Sequence, residues 1–206
     1  DPILTTEFWE NTAAAEDNTG PHQGFERIEC MFHSGRAGRH LMHYPKWLQE
    51  NHPKEVDGYF LFANYATKNV TVSTYRGGAT GAVQVKFNPI QREHYHTDWV
   101  ADRTINYLDT VKEEENWFVW MSFPDPHHPW DPPDSELHRV DWRDLDLPPG
   151  HGGSVAKNKK ILAEKPRHWL EWFEGRRQFN FELPKTFVPA EMTNDQVREI
   201  DAMTHI

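Results

Sequence analysis

Seven consecutive apolar or small residues, Trp117 to Phe123 in the stretch WFVWMSF, run straight into a segment holding Pro124, Pro126, Pro129, Pro132 and Pro133. A strand with one wet face alternates apolar and polar side chains. An unbroken run suits a strand buried on both faces, as in a parallel sheet covered by helices. The preceding TDWVADRTINYLDTVKEEE predicts an amphipathic helix with Thr97 or Asp98 as its N-cap. Ala101, Ile105 and Leu108 fall on one stripe, with Trp99 and Val111 near it. A helix followed by a doubly buried strand is half of a βαβ unit. The expected class is therefore α/β, with a mostly parallel sheet flanked by helices and long irregular loops. Trp117–Phe123 is expected to be a central strand.

The chain has 206 residues, enough to bury a core of its own. Its 22 basic and 32 acidic residues give a net charge of −10. That balance argues against nucleic acid or an anionic membrane surface as the main partner. No apolar run approaches the ~20 residues of a membrane span. One cysteine excludes an internal disulfide framework. The opening DPILTTEFWE has neither a basic nor an apolar leader region. An upstream leader would make the protein periplasmic or secreted, and without one it would be cytoplasmic, so the compartment is left open. Nine tryptophans and twelve phenylalanines suit a loop-rich chain pinned by aromatics rather than a disordered one.

Elsewhere the chain shows no internal repeat. PKWLQENHP, Pro45 to Pro53, predicts a short helix with proline in its first turn and a proline stop. FERIECMF and YFLFANY are strand candidates, and TVSTYRGGATGAVQV reads as a glycine-rich turn between strand-like pieces. Residues after Glu136 read as polar and irregular to about Lys160. A helix opened by Pro166 follows, with Trp169, Leu170 and Phe173 inward. The last stretch carries a capping box, Thr193 with Gln196, and an apolar stripe of Val197, Ile200 and Met203. This helix is still running at Ile206, which suggests a chain cut short there.

Ligands of open α/β sheets bind beyond the carboxyl ends of the strands. The loop after Phe123 occupies such an end. Its prolines each fix φ and lower the entropy of the free loop. A stiff loop presenting Asp125, His127 and His128 suits an anion-binding or proton-transferring site. Histidine can donate to a sulfate or phosphate oxygen and can protonate a leaving alkoxide. The plain alternative is a rigid surface connection with incidental histidines.

Three other patterns compete. His94 and His96 could share a metal at i and i+2, but a zinc site needs more ligands and there is no cysteine pair. Capping or surface packing is their default role. RGGATG lacks the Lys-Ser/Thr of a P-loop. The tryptophans of HWLEWFEG could line a sugar-binding face, with core packing the commoner role.

FVWMSFPDPHHPWDPP resembles a segment of sulfatases, the arylsulfatase branch of the alkaline-phosphatase-like superfamily. In that family an apolar strand runs into a Pro-His-x-Pro-aromatic turn. EHYHTDWVADRTINYLD resembles the helix before that strand, GPHQGFERIEC a stretch ahead of a variable insertion, and KPRHWLEWFEG a later piece. The resemblance implies a portion of an alkaline-phosphatase-like fold. Residues 1–206 would be a single, incomplete sulfatase-like domain with a loop-rich insertion around 33–90. It further implies that His127 contacts the substrate sulfate and that His128, in the x position, lies behind it.

Departures from the family pattern are as informative. The family's nucleophile is a formylglycine made from cysteine in Cys-x-Pro-x-Arg. Here Cys30 reads CMFHS, with Phe32 and Ser34 in place of the proline and arginine. Cys30 is therefore expected to be a small buried hydrophobe. The family's paired N-terminal aspartates, Lys-x-His and Asp-His-Gly are also missing, so the chain looks like a central slice.

The implied function is part of a sulfuric ester hydrolase. It would act on a sulfate-ester small molecule or a sulfated carbohydrate, together with the remaining segments of the same enzyme. Ca²⁺ or Mg²⁺ is expected in the complete enzyme. The chain alone is expected to hold no metal and to be inactive. The alternatives are a phosphate or phosphonate monoester hydrolase and a non-catalytic binding or structural module of sulfatase ancestry.

Overall fold

The computed structural model of the chain describes residues 18–31, 43–56, 78–114, 116–177 and 186–206. They form five α-helices: α1 His43–Asn51, α2 His96–Leu108, α3 Val155–Leu162, α4 Arg167–Phe173 and α5 Asn194–His205. Short 3-10 turns connect them. β pairing among the described residues is confined to three isolated bridges, His22 with Phe25, Val85 with Trp130 and Asn88 with Pro133. The described architecture is thus helical and not clearly α/β, which corrects the sequence expectation in that respect.

The chain divides into two compact units. The first holds described residues 18–31, 43–56, 88–114, 116–127 and 133–135; the second holds 78–87, 128–132, 136–177 and 186–206.

The first unit is built on α1 and α2. Pro45 in the first turn of α1 needs no intrahelical donor there, and Pro53 lies just past its end. Tyr44 and Leu48, one turn apart, are fully buried. They pack with Val56, Ile90, Tyr95 and Trp99, and Met31, Trp47 and Val100 flank this core. The Tyr44 and Trp99 rings meet edge to face at 5.4 Å, a geometry that adds about 0.5–1.5 kcal/mol beyond burial. The Tyr44 hydroxyl donates to the His94 carbonyl at 2.9 Å, satisfying the polar end of a buried ring.

α2 forms where its amphipathic pattern predicts, but a different face is buried. Trp99 is 4% exposed, whereas Ile105 on the expected stripe is 55% exposed. Arg103 of α2 instead reaches Glu29, with Nε 2.5 Å from Oε2. Burial works to raise the Glu29 carboxyl. Hydrogen bonds and charges from Arg103 and Arg27 outweigh it and hold the group below its ordinary value. Segment 27–31 carries no strand assignment, so the FERIECMF strand is not seen there.

Trp117–Phe123 is not a strand. It has no β partner among the described residues. Trp117, Phe118, Trp120, Met121 and Phe123 are all exposed, Phe118 and Trp120 to 72% and 73%. The residue pattern of a doubly buried strand is present, but no strand among the described residues pairs with it. Hydrogen-bonded partners, not the run itself, make a strand.

The second unit centres on α5. Its capping box is formed in both directions: Gln196 N–H donates to Thr193 Oγ1 at 3.2 Å, and Thr193 N–H donates to Gln196 Oε1 at 2.9 Å. Ala202 and Met203 pack with Ala82, Val85 and Phe87, and Trp130, Leu137 and Trp142 lie against them. Glu199 on the same helix is fully buried. Its carboxylate accepts from the N–H groups of Ala79 and Thr80 and from the Thr80 hydroxyl. The glycine-rich turn therefore holds an internal anion in a backbone nest. A Cβ on Gly78 would fall 2.8 Å from both Glu199 carboxylate oxygens, so glycine is needed for this close approach.

α3 lies in the stretch read as irregular. Ser154 caps it, accepting from Lys157 N–H, and the buried Asn158 accepts from Gly152 N–H at 2.6 Å. α4 starts after Pro166 as expected and buries Phe173, while Trp169 points outward at 52% exposure. YFLFANY lies outside the described residues, as does most of the insertion expected around 33–90.

Candidate functional site

The proline loop is held at one end by α2. Thr97, in the first turn, donates its hydroxyl to Asp125 Oδ2 at 3.4 Å. His96 Nε2 lies 3.6 Å from the same oxygen. His96 is 1% exposed and touches the Tyr44 ring edge-on and the Tyr95 ring at 3.9 Å. Asp125 therefore ties the loop to the buried N-terminal turn of α2. The first-turn N–H groups and the helix dipole favour an anion there.

His127 is exposed, and its backbone N–H donates to the Pro124 carbonyl at 3.1 Å, closing a tight turn. His128 is half-buried, with its ring edge-on to Trp130 at 6.0 Å. The division between the two compact units falls between these two histidines. Of the three expected substrate-side residues, His127 and Asp125 thus belong to the first unit and His128 to the second. Asp125 is committed to α2, and His127 is the one open to solvent.

Cys30 is half-buried, and burial, with the neighbouring Glu29 charge, pushes its thiol up to about 11. A thiol so reluctant to ionise is a poor nucleophile. Cys30 instead serves the packing of α1. Its carbonyl accepts from the N–H groups of His43 and Tyr44, and its own N–H donates to His43 Nδ1 at 2.9 Å. His43 Nε2 must then carry the ring proton and donate to the Asn18 carbonyl at 2.8 Å. Burial lowers the His43 pKa, as this neutral, doubly bonded ring requires.

His94 and His96 do not converge. His94 Nδ1 lies 3.0 Å from Glu55 Oε1, and its ring stacks on His52 with centroids 3.4 Å apart. His96 faces Asp125 instead. Sequence reading missed His52 and Glu55 as partners of His94. The only local signal was a His-x-x-Glu spacing just past a helix end.

The chain is similar to the uncharacterized sulfatase YidJ of Escherichia coli strain K12, with 24% identity over 207 residues. The match covers 91% of this chain and 40% of that protein, so the chain spans less than half the length of the relative. This is a distant sulfatase-like relationship. No family model matches the chain, and no solved structure matches it significantly.

Proposed function

We propose that this chain is a portion of a sulfatase-type hydrolase, in which the proline loop supplies one substrate contact, His127. The observation that carries the reading is the sulfatase similarity across 91% of the chain. Exposed His127, beside a loop anchor at Asp125, supports the role. His127 would donate to a sulfate oxygen, an interaction that strengthens as charge builds on the transferring group. It could also return a proton to the leaving alkoxide. Asp125 would act through the loop rather than on substrate, and His128 would support the turn against Trp130.

The Ca²⁺ or Mg²⁺ ion that such a mechanism uses does not fit the described residues. Those ions require several oxygen ligands. The one group of three or more metal-capable side chains among the described residues contains two imidazoles. Cys30 does not fit the nucleophile either. In this reading both lie elsewhere in the complete enzyme, and the chain alone is inactive.

The substrate class is a sulfate ester, either a small molecule or a sulfated carbohydrate. Steady-state assay of the full-length protein on matched aryl sulfate and aryl phosphate esters tests this. Preferential turnover of the sulfate is expected. Preference for the phosphate would move the reading to a phosphate monoester hydrolase, and no turnover of either would favour a non-catalytic module.

A further inference from the structure

We propose that His52, Glu55 and His94 form a binding site for one zinc-class divalent cation. The nitrogen or oxygen ligand atoms these side chains offer all lie within 4.8 Å of one another. The group is independent of the sulfate-ester reading and uses none of its residues. It replaces the expectation that the chain alone holds no metal.

The fold assembles this group from two distant stretches. His52 follows the last turn of α1, its N–H donating to the Leu48 carbonyl at 2.7 Å. Glu55 N–H donates back to the His52 carbonyl at 2.9 Å, so the turn brings the two side chains together. His94 ends the 3-10 turn Arg92–His94, and Tyr44 fixes its carbonyl. Gln91 N–H donates to Glu55 Oε2 at 3.0 Å, which leaves Oε1 directed at His94 Nδ1. The carboxylate is thus oriented before any ion arrives. Trp47 walls the group, its ring 4.9 Å from His52 and 6.3 Å from His94. Side-chain exposure is only 19% at His94 and 17% at Glu55. Partial burial strengthens a charge interaction relative to open water.

The donor set selects the class of ion. Two imidazole nitrogens and one carboxylate oxygen suit zinc and its neighbours, while calcium and magnesium prefer all-oxygen shells. Three protein ligands leave a fourth position of a tetrahedral zinc for water. The 3.0 Å between Glu55 Oε1 and His94 Nδ1 is a few tenths of an ångström short of the roughly 3.4 Å edge set by two ligands about 2.1 Å from a tetrahedral ion. The cation would bind Nδ1 of His94 in its neutral form, with the ring proton carried on Nε2. His52 and His94 stack with only 24° between their planes. Parallel rings project their lone pairs side by side, so one ring must turn on binding. His52, beyond the end of its helix, is the one placed to do so, since Glu55 orients His94.

The test is equilibrium dialysis of the full-length polypeptide against Zn²⁺, followed by metal analysis, with Co²⁺ absorption as a second readout. Wild type and a His151→Ala control should retain the same number of equivalents and show the visible bands of tetrahedral Co²⁺. His52→Ala and His94→Ala should each lose one equivalent and those bands, with the far-UV circular dichroism of His52→Ala unchanged. Glu55→Gln should weaken binding by about tenfold or more. Equal zinc retention in wild type and His52→Ala, or absence of the Co²⁺ bands in wild type, would overturn the assignment.

Discussion

Asp125 Oδ2 lies 3.6 Å from Nε2 of His96, a side chain almost wholly removed from solvent. The same oxygen accepts from the Thr97 hydroxyl. One carboxylate thereby joins the rigid proline loop to the start of α2. It also gives a buried imidazole an anionic neighbour. Asp125→Ala should lower stability by about 0.5–1.5 kcal/mol, the usual net worth of one hydrogen bond such as that from Thr97. Asp125→Asn, which keeps an acceptor for Thr97, should cost less. Urea unfolding of the two variants checks this, and equal stability of Asp125→Ala and wild type would show that the contact holds nothing in place.

His43 predicts acid sensitivity. Its folded-state pKa is lowered by burial, and Nδ1 must stay unprotonated to accept from Cys30 N–H. A histidine with a depressed folded pKa contributes stability above its unfolded value of about 6.5. That contribution is lost as pH falls toward the folded value. Glu29 adds to this at lower pH, because its carboxyl is also held below the ordinary value and its ion pairs are lost on protonation. Stability should therefore fall from about pH 6.5 downward. His43→Asn, less stable at pH 7.5, should show a flatter slope between pH 7 and pH 5. An unchanged slope in urea titrations would remove His43 as the cause.

Gly78→Ala should destabilise the second unit. The added methyl would meet Val85 Cγ1 at 2.7 Å and the Glu199 carboxylate at 2.8 Å. Relief requires moving Glu199 away from Ala79 and Thr80, which strands a buried charge. A loss of about 2–4 kcal/mol is expected, read as a lower urea midpoint. Gly81, where a Cβ would meet nothing within 4 Å, has a positive φ of 72°. Gly81→Asn should cost less than Gly78→Ala, because asparagine tolerates that backbone region. The reverse order would place the constraint in the backbone turn and not at the carboxylate.

What the sequence made legible follows from the range of each interaction. The α5 capping box is a contact between residues three apart, and Thr193 and Gln196 declare it locally. α1 was equally local, bracketed by Pro45 and Pro53. The buried face of α2 was not, because Trp99 is covered by Tyr44 from a helix some fifty residues earlier. α3 was missed because a lysine-rich segment hides its short buried face, and only Ser154 marks its start. The WFVWMSF run carries the residue choice of a buried strand, but pairing depends on partners the run cannot encode. Asp125 and His127 were legible as loop residues. The tie of Asp125 to His96 and the meeting of His94 with His52 are tertiary facts.

We propose His127 as the substrate contact of the sulfatase-type hydrolase of which this chain would be a portion. Steady-state kinetics of His127→Ala and His128→Ala in the full-length protein, on an aryl sulfate, test it most directly. His127 is exposed on the loop, whereas His128 packs its ring against Trp130. His127→Ala should lower kcat/KM by about 10²-fold or more, within the range of a lost acid–base or electrostatic group. His128→Ala should cost much less. A larger loss at His128, or no loss at His127, would contradict the account.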